Sequence, residues 1–133
     1  MKTNPLKEYP MYYPDMKDYI TFLFFLLDEF LGTKEHTISR GKPKTYSDAS
    51  LVVFFVLMTQ RRIHATRRQH YWLYTHPLLL ETLRLRSCPS RLTLGRRYKA
   101  LAAFISEFCE FIADWIVSNG YSSGILRDVI NRF

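Results

Sequence analysis

The side chains most able to bind a ligand are arginines, and they are concentrated in one segment of this 133-residue chain. Residues 61–99 carry ten of the 19 Lys and Arg residues against a single carboxylate, Glu81, which gives this segment a net charge of +9. The net charge of the whole chain is +7, so the excess is local. Arginine presents a rigid fork of donors that fits phosphate oxygens and guanine edges. The cluster is typical of a nucleic-acid interface, and the alternative is a solvated face without a ligand.

Other reactive residue types do not form a recognisable site. Cys88 and Cys109 lie 21 positions apart without a Cys-x-x-Cys pair, whereas a zinc site needs about four closely spaced ligands. His64, His70 and His76 recur every six residues, a spacing that places them on different faces of a helix. The five glycines form no phosphate-binding loop. We therefore expect neither a metal nor a cofactor in this chain.

The composition predicts one globular domain in the cytoplasm. The chain is 47% hydrophobic and 23% charged, which is ordinary for a folded protein of this length. Its longest apolar stretches, 22–27 and 51–58, fall far short of the roughly 20 residues that span a bilayer. The N-terminal residues lack the apolar core of a signal peptide. We expect no membrane partner.

The residue pattern predicts an all-α fold, a compact helical domain with a long C-terminal helix. Prolines predict an extended arm over 1–14, before a first helix over 15–31 that starts at Asp15 and stops at Gly32. Ser47 is the expected N-cap of a second helix, although its apolar run also allows a buried strand. Thr66 begins a capping-box pattern with Gln69, which predicts the start of a third helix that ends before Pro77. The remaining predicted segments are a helix over 48–62, a helix over 78–86, a helix over 91–118, a helical domain over 15–120 and a C-terminal tail over 121–133.

The last of these helices, which Ser90 would cap, has two different faces. Its inner seam follows a repeat of four and three residues that is suited to packing on other helices. Its outer face is basic in the first half and acidic in the second, whereas the helix dipole favours the opposite order. An external polyanion would offset that unfavourable order. The seam consists of Leu94, Tyr98, Leu101, Ile105, Phe108, Ile112 and Trp115, and the outer face of Leu92, Arg96, Lys99, Ala103, Glu107, Glu110 and Asp114.

A helix over 78–86, a turn over 87–89 and a basic helix start predict a helix-turn-helix-like element that binds DNA. A generic helical hairpin would give the same pattern. Arg96 is the expected base contact, and Arg67 and Arg68 are expected on phosphates. The predicted DNA-binding residues are Arg61, Arg62, Arg67, Arg68, Arg91, Thr93, Arg96, Arg97 and Lys99, with Arg40, Lys42 and Lys44 as a minor-groove arm or a flexible cationic linker.

Two segments are distinctive, 40–48 (RGKPKTYSD) and 89–101 (PSRLTLGRRYKAL). They resemble the N-terminal domain of bacterial insertion-sequence transposases of the DDE type, and the resemblance extends over about 40–118. It implies a helical domain that binds the terminal inverted repeats of a mobile element. Gly95 departs from the family pattern, which often has a hydroxyl residue there.

In that family a ribonuclease-H-like domain follows, in which three carboxylates bind two divalent metals. This chain ends at Phe133, near the expected first catalytic strand, and neither Asp114 nor Asp128 lies in a plausible strand. We therefore expect DNA binding without catalysis, with Mg²⁺ confined to the missing domain. Expected partners are double-stranded DNA and either a second copy or the catalytic half. The alternatives are a stand-alone helix-turn-helix regulator and a structural helical interaction protein.

Overall fold

A computed structural model describes residues 13–33 and 45–119, and the regular structure in these two ranges is entirely helical. The all-α prediction is therefore confirmed for them. The predicted basic arm at Arg40, Lys42 and Lys44, most of the N-terminal arm and the tail lie outside the described residues. The helices are α1 (Tyr13–Thr33), α2 (Asp48–Gln60), α3 (Thr66–Tyr74), α4 (Leu78–Thr82) and α5 (Arg91–Ser118).

Helix α2 forms the centre of the core. All eight residues from Leu51 to Met58 are buried, because α1 and α5 pack on α2 and Trp72 of α3 contacts Phe54. The apolar run that also allowed a strand is thus a helix enclosed on every side. Its predicted cap is confirmed, since Ser47 Oγ accepts a hydrogen bond from the Ser50 amide at 3.1 Å.

Helix α1 is longer than predicted at both ends. It begins at Tyr13, so the predicted arm over 1–14 and the predicted start at Asp15 are wrong at this boundary. Pro14 is compatible with the helix because a first turn does not need its amide hydrogen. Gly32 lies inside the last turn rather than after it. Phe30 anchors α1 on α5, with ring centroids 5.2–5.6 Å from those of three α5 phenylalanines.

The start of α3 differs from the predicted capping box. Thr66 is the first helical residue, and the preceding Ala65 provides no side-chain cap. Gln69 instead turns back toward the α2–α3 connection, where its side-chain amide donates to the Ile63 carbonyl at 3.0 Å. Its buried side chain therefore satisfies a backbone group of the turn rather than the helix start.

Helix α4 is shorter than the predicted 78–86. It ends at Thr82, after which Arg84 adopts a positive φ of 61° and the Leu85 amide donates to the Leu80 carbonyl at 2.8 Å. This backbone arrangement closes a helix C-terminus. A connection over 83–90 leads to α5, so the predicted nine-residue helix and three-residue turn are wrong, and the helix-turn-helix-like element is reduced to one helical turn and a long loop.

Helix α5 has the predicted bounds, and its 28 residues extend for about 42 Å. Ser90 caps it as predicted, because its Oγ accepts from the Thr93 amide at 3.1 Å. Ile116 and five residues of the predicted seam are buried. Tyr98 is the main departure from the seam, since 44% of its surface is exposed although its ring contacts Phe55 edge-on at 5.1 Å.

Candidate nucleic-acid interface

The site is built where α3 packs on the N-terminal half of α5. Gln69, Trp72 and Leu73 point inward from α3, and Leu94 and Leu101 point inward from α5. These five positions fix the rotation of both helices about their axes. Several cationic and tyrosine side chains of α3 and of the first half of α5 are consequently exposed to solvent.

An open groove of about 1160 Å³ lies between the start of α3 and the first three turns of α5. Arg67 contributes from α3, and Arg91, Arg96 and Lys99 contribute from α5. Among the described residues no carboxylate lines this groove, while Leu92 adds an apolar contact surface that is 77% exposed. The groove therefore offers concentrated positive charge beside accessible apolar surface.

Two smaller concave regions continue this surface along α3. One of about 490 Å³ includes Arg67, Arg68 and Tyr71, and one of about 310 Å³ includes Arg67, Tyr71, Tyr74 and Arg91. Arg67 is common to all three concavities, so they form one continuous surface. We call its five exposed cationic residues the basic face, which consists of Arg67, Arg68, Arg91, Arg96 and Lys99.

The basic face is not neutralised from within the described ranges. None of its five side chains forms an ion pair there. The exposed carboxylates of α5 begin at Glu107, eight residues beyond Lys99, which corresponds to about 12 Å along the axis. That separation exceeds the Debye length of about 10 Å at 0.1 M salt. An incoming anion therefore meets a field set mainly by the cations.

Arg97, a predicted DNA contact, instead binds residues at the start of α2. Its guanidinium pairs with the buried Asp48 carboxylate and donates to the Tyr46 carbonyl at 3.0 Å, which leaves the side chain 13% exposed. It joins α5 to the start of α2, so we remove it from the interface. Thr93 is half-buried and lies within the α5 cap, where its Oγ1 accepts from Ser90 Oγ at 3.1 Å.

Arg61 and Arg62 also lie away from the basic face. They occupy the turn between α2 and α3, where Arg61 is half-buried and Arg62 adopts a positive φ of 59°. Neither lines the three concavities described above. The structure thus brings together five of the nine arginine, threonine and lysine residues predicted in this region.

Sequence reasoning missed two tyrosines of this surface. Tyr71 and Tyr74 are 67% and 71% exposed on the outer side of α3. The buried positions 69, 72 and 73 follow a helical repeat, and that repeat places 71 and 74 outside. The signal was therefore present in the sequence of the predicted third helix.

The two cysteines are half-buried. Burial raises the pKa of both thiols, that of Cys109 to about 11, which keeps them protonated and weakly nucleophilic. No group of three or more His, Cys, Asp or Glu side chains in the described ranges could hold a metal ion. Among the five helices, none is long and apolar enough to cross a membrane.

No family model matches this chain, and no curated protein or solved structure matches it either.

Proposed function

We propose that the protein binds double-stranded DNA through the basic face, with the first half of α5 in the major groove. The observation that carries this proposal is the groove where the starts of α3 and α5 meet. Each of these helices has arginine and no acidic residue in its first turn. Positive charge at a helix start is unfavourable by about 0.3–1 kcal/mol per exposed residue. A phosphate backbone offsets that cost at both helices.

The shape of α5 fits this role. From Leu92 to Ala103 its outer face extends for about 17 Å, and it carries small side chains at Ala100 and Ala103, just beyond the last cation, Lys99. A helix with such a face can approach the floor of a major groove that is about 12 Å wide. Arg96 is the side chain for a guanine edge, and Leu92 is suited to a thymine methyl group.

Helix α3 supplies the contacts that position the duplex. Arg67 and Arg68 lie in its first turn, and the start of α3 has no side-chain cap. Backbone amides at such a start are suitable donors for a phosphate oxygen. We therefore assign α3 to backbone phosphates and α5 to bases.

The transposase resemblance would make the target the terminal inverted repeats of a mobile element, bound without cleavage by this chain. A direct contact joins the two segments, 40–48 and 89–101, on which this resemblance is based. Tyr46 and Asp48 of the first segment bind Arg97 of the second, which fixes the orientation of the basic half of α5. A selected duplex that matches such repeats supports this identity, whereas one that matches a promoter operator indicates a stand-alone regulator.

The test is a salt titration on duplexes enriched from a random pool. With five neutralised phosphates, the logarithm of the binding constant should fall with the logarithm of salt concentration with a slope of about −4.5. The expected readout is fluorescence anisotropy of a labelled duplex. A slope near zero would contradict DNA binding and favour a structural interaction protein.

A further inference from the structure

Tyr71 and Tyr74 form an exposed aromatic pair that duplex binding leaves without a role. They lie three residues apart on α3, a spacing that makes side chains neighbours on a helix surface. Neither ring contacts another aromatic ring in the described part of the chain. By contrast, the adjacent Trp72 is buried, and its ring stacks on His76 with centroids 4.2 Å apart.

Cations surround this pair on both sides. The concavity between α3 and the start of α5 is lined by both tyrosines together with Arg67, His70 and Arg91. Tyr71 also lines the neighbouring concavity with Arg68. A second copy of this chain would bring like charges together here, so the charge disfavours self-association and favours a polyanion.

We propose that Tyr71 and Tyr74 stack on unpaired bases of a single-stranded DNA extension next to the duplex held by the basic face. This inference rests on the proposed function and names the form of DNA that the site prefers. In a continuous duplex, neighbouring base pairs cover the faces of each base. Only unpaired bases present a face on which a tyrosine ring can stack.

The arrangement meets the two requirements of single-strand binding. A positively charged track is needed for the backbone, and Arg67 and Arg91 provide it beside the rings. Aromatic side chains are needed for successive bases, and the two tyrosines provide them. Stacking depends little on base identity, so the preference is for unpaired structure rather than for a particular sequence.

The experiment compares a blunt duplex with the same duplex carrying a short single-stranded extension of mixed sequence. The full chain should bind the extended duplex about tenfold more tightly. Tyr71→Ala and Tyr74→Ala should each remove most of this preference, measured as the ratio of the affinities for the extended and the blunt duplex. Tyr71→Phe and Tyr74→Phe should keep the preference, because the ring is retained.

Two controls separate stacking from other effects. Leu78→Ala removes a side chain that is 72% exposed and outside the three concavities, and it should leave both affinities unchanged. Arg68→Ala should weaken both DNAs to a similar degree. Thermal melting by circular dichroism should show each tyrosine variant folded, as expected for exposed positions.

Three results would overturn the inference. Equal affinity of the full chain for blunt and extended duplexes would remove stacking but leave the proposed function standing. Phenylalanine variants as weak as the alanine variants would assign the tyrosine hydroxyls to phosphate contacts instead of base stacking. Salt-independent or undetectable binding of both DNAs would reject the proposed function and this inference together.

Discussion

The two halves of α5 share one helix but present opposite charges to solvent. Both halves bury apolar residues, Leu94 and Leu101 in the first half and Phe108 and Ile112 in the second. The first half faces outward with cations beside an open groove, whereas the second faces outward with Glu107, Glu110 and Asp114. Buried apolar residues therefore pack against the core along the whole of α5, and the two halves differ in the charge of their exposed side chains.

The halves also differ in how they are attached. The second half packs on α1 through the aromatic contacts of Phe30. The first half is attached through the ion pair of Arg97 with Asp48, in addition to its leucines. Arg96 and Arg97 are adjacent in sequence, but one faces the groove and the other faces α2. This contrast shows that an arginine-rich segment can contain both binding residues and structural residues.

The largest expected effect is that of Arg97→Ala on stability. Its removal takes the guanidinium away from the buried Asp48 carboxylate and breaks their ion pair, so we expect the free energy of unfolding to fall by about 3 kcal/mol. Denaturant unfolding followed by circular dichroism measures this. Asp48→Asn is the matched variant and should also destabilise. An Arg97→Ala protein as stable as the wild type but defective in DNA binding would return Arg97 to the interface.

The next effect distinguishes base contacts from phosphate contacts within the basic face. Arg96→Ala should cost about 1–3 kcal/mol on the selected duplex and reduce discrimination between sequences. Arg68→Ala should weaken selected and random duplexes alike and reduce the magnitude of the salt slope by about 1. Anisotropy titrations with both DNAs measure these changes. Equal losses on selected and random DNA for both variants would show that α5 does not read bases.

The acidic half provides the control for that experiment. Glu110 lies 11 residues beyond Lys99, which corresponds to about 17 Å along the axis. At 0.1 M salt this distance is well beyond the Debye length of about 10 Å. Glu110→Gln should therefore leave both duplex affinities nearly unchanged. A large gain in affinity would mean that the bound DNA extends over the second half of α5.

Apart from the Glu110 control, the smallest effect concerns Gly95, which lies in the first half of α5. A Cβ built there would meet its nearest atoms, Thr66 Oγ1 and Cγ2, at 3.8 and 3.9 Å, which are ordinary contact distances. Gly95→Ala should thus raise the free energy of unfolding by about 1 kcal/mol, because alanine is the better helix former. A rise in melting temperature tests this. A fall would indicate that α5 and α3 pack more closely than the space at Gly95 implies.

Local signals in the sequence were sufficient for much of this fold. Serines at positions 47 and 90 marked two helix starts because a hydroxyl oxygen can accept from an amide one turn later. The repeat along 91–118 gave both the bounds of α5 and its outer face. The end of α4 was predicted wrongly because the residue type there gives no stop signal. Arg84 closes this helix in a conformation that usually favours glycine.

The sequence by itself determined the helical class, the long last helix and the concentration of positive charge, because each depends on periodicity or composition within a short segment. Tertiary structure decided which of those charges reach solvent. Asp48 and Arg97 are 49 positions apart, and only the packing of α5 against α2 brings them together. The groove likewise exists because α3 and α5 are held side by side by their buried residues, a relation that no local pattern encodes.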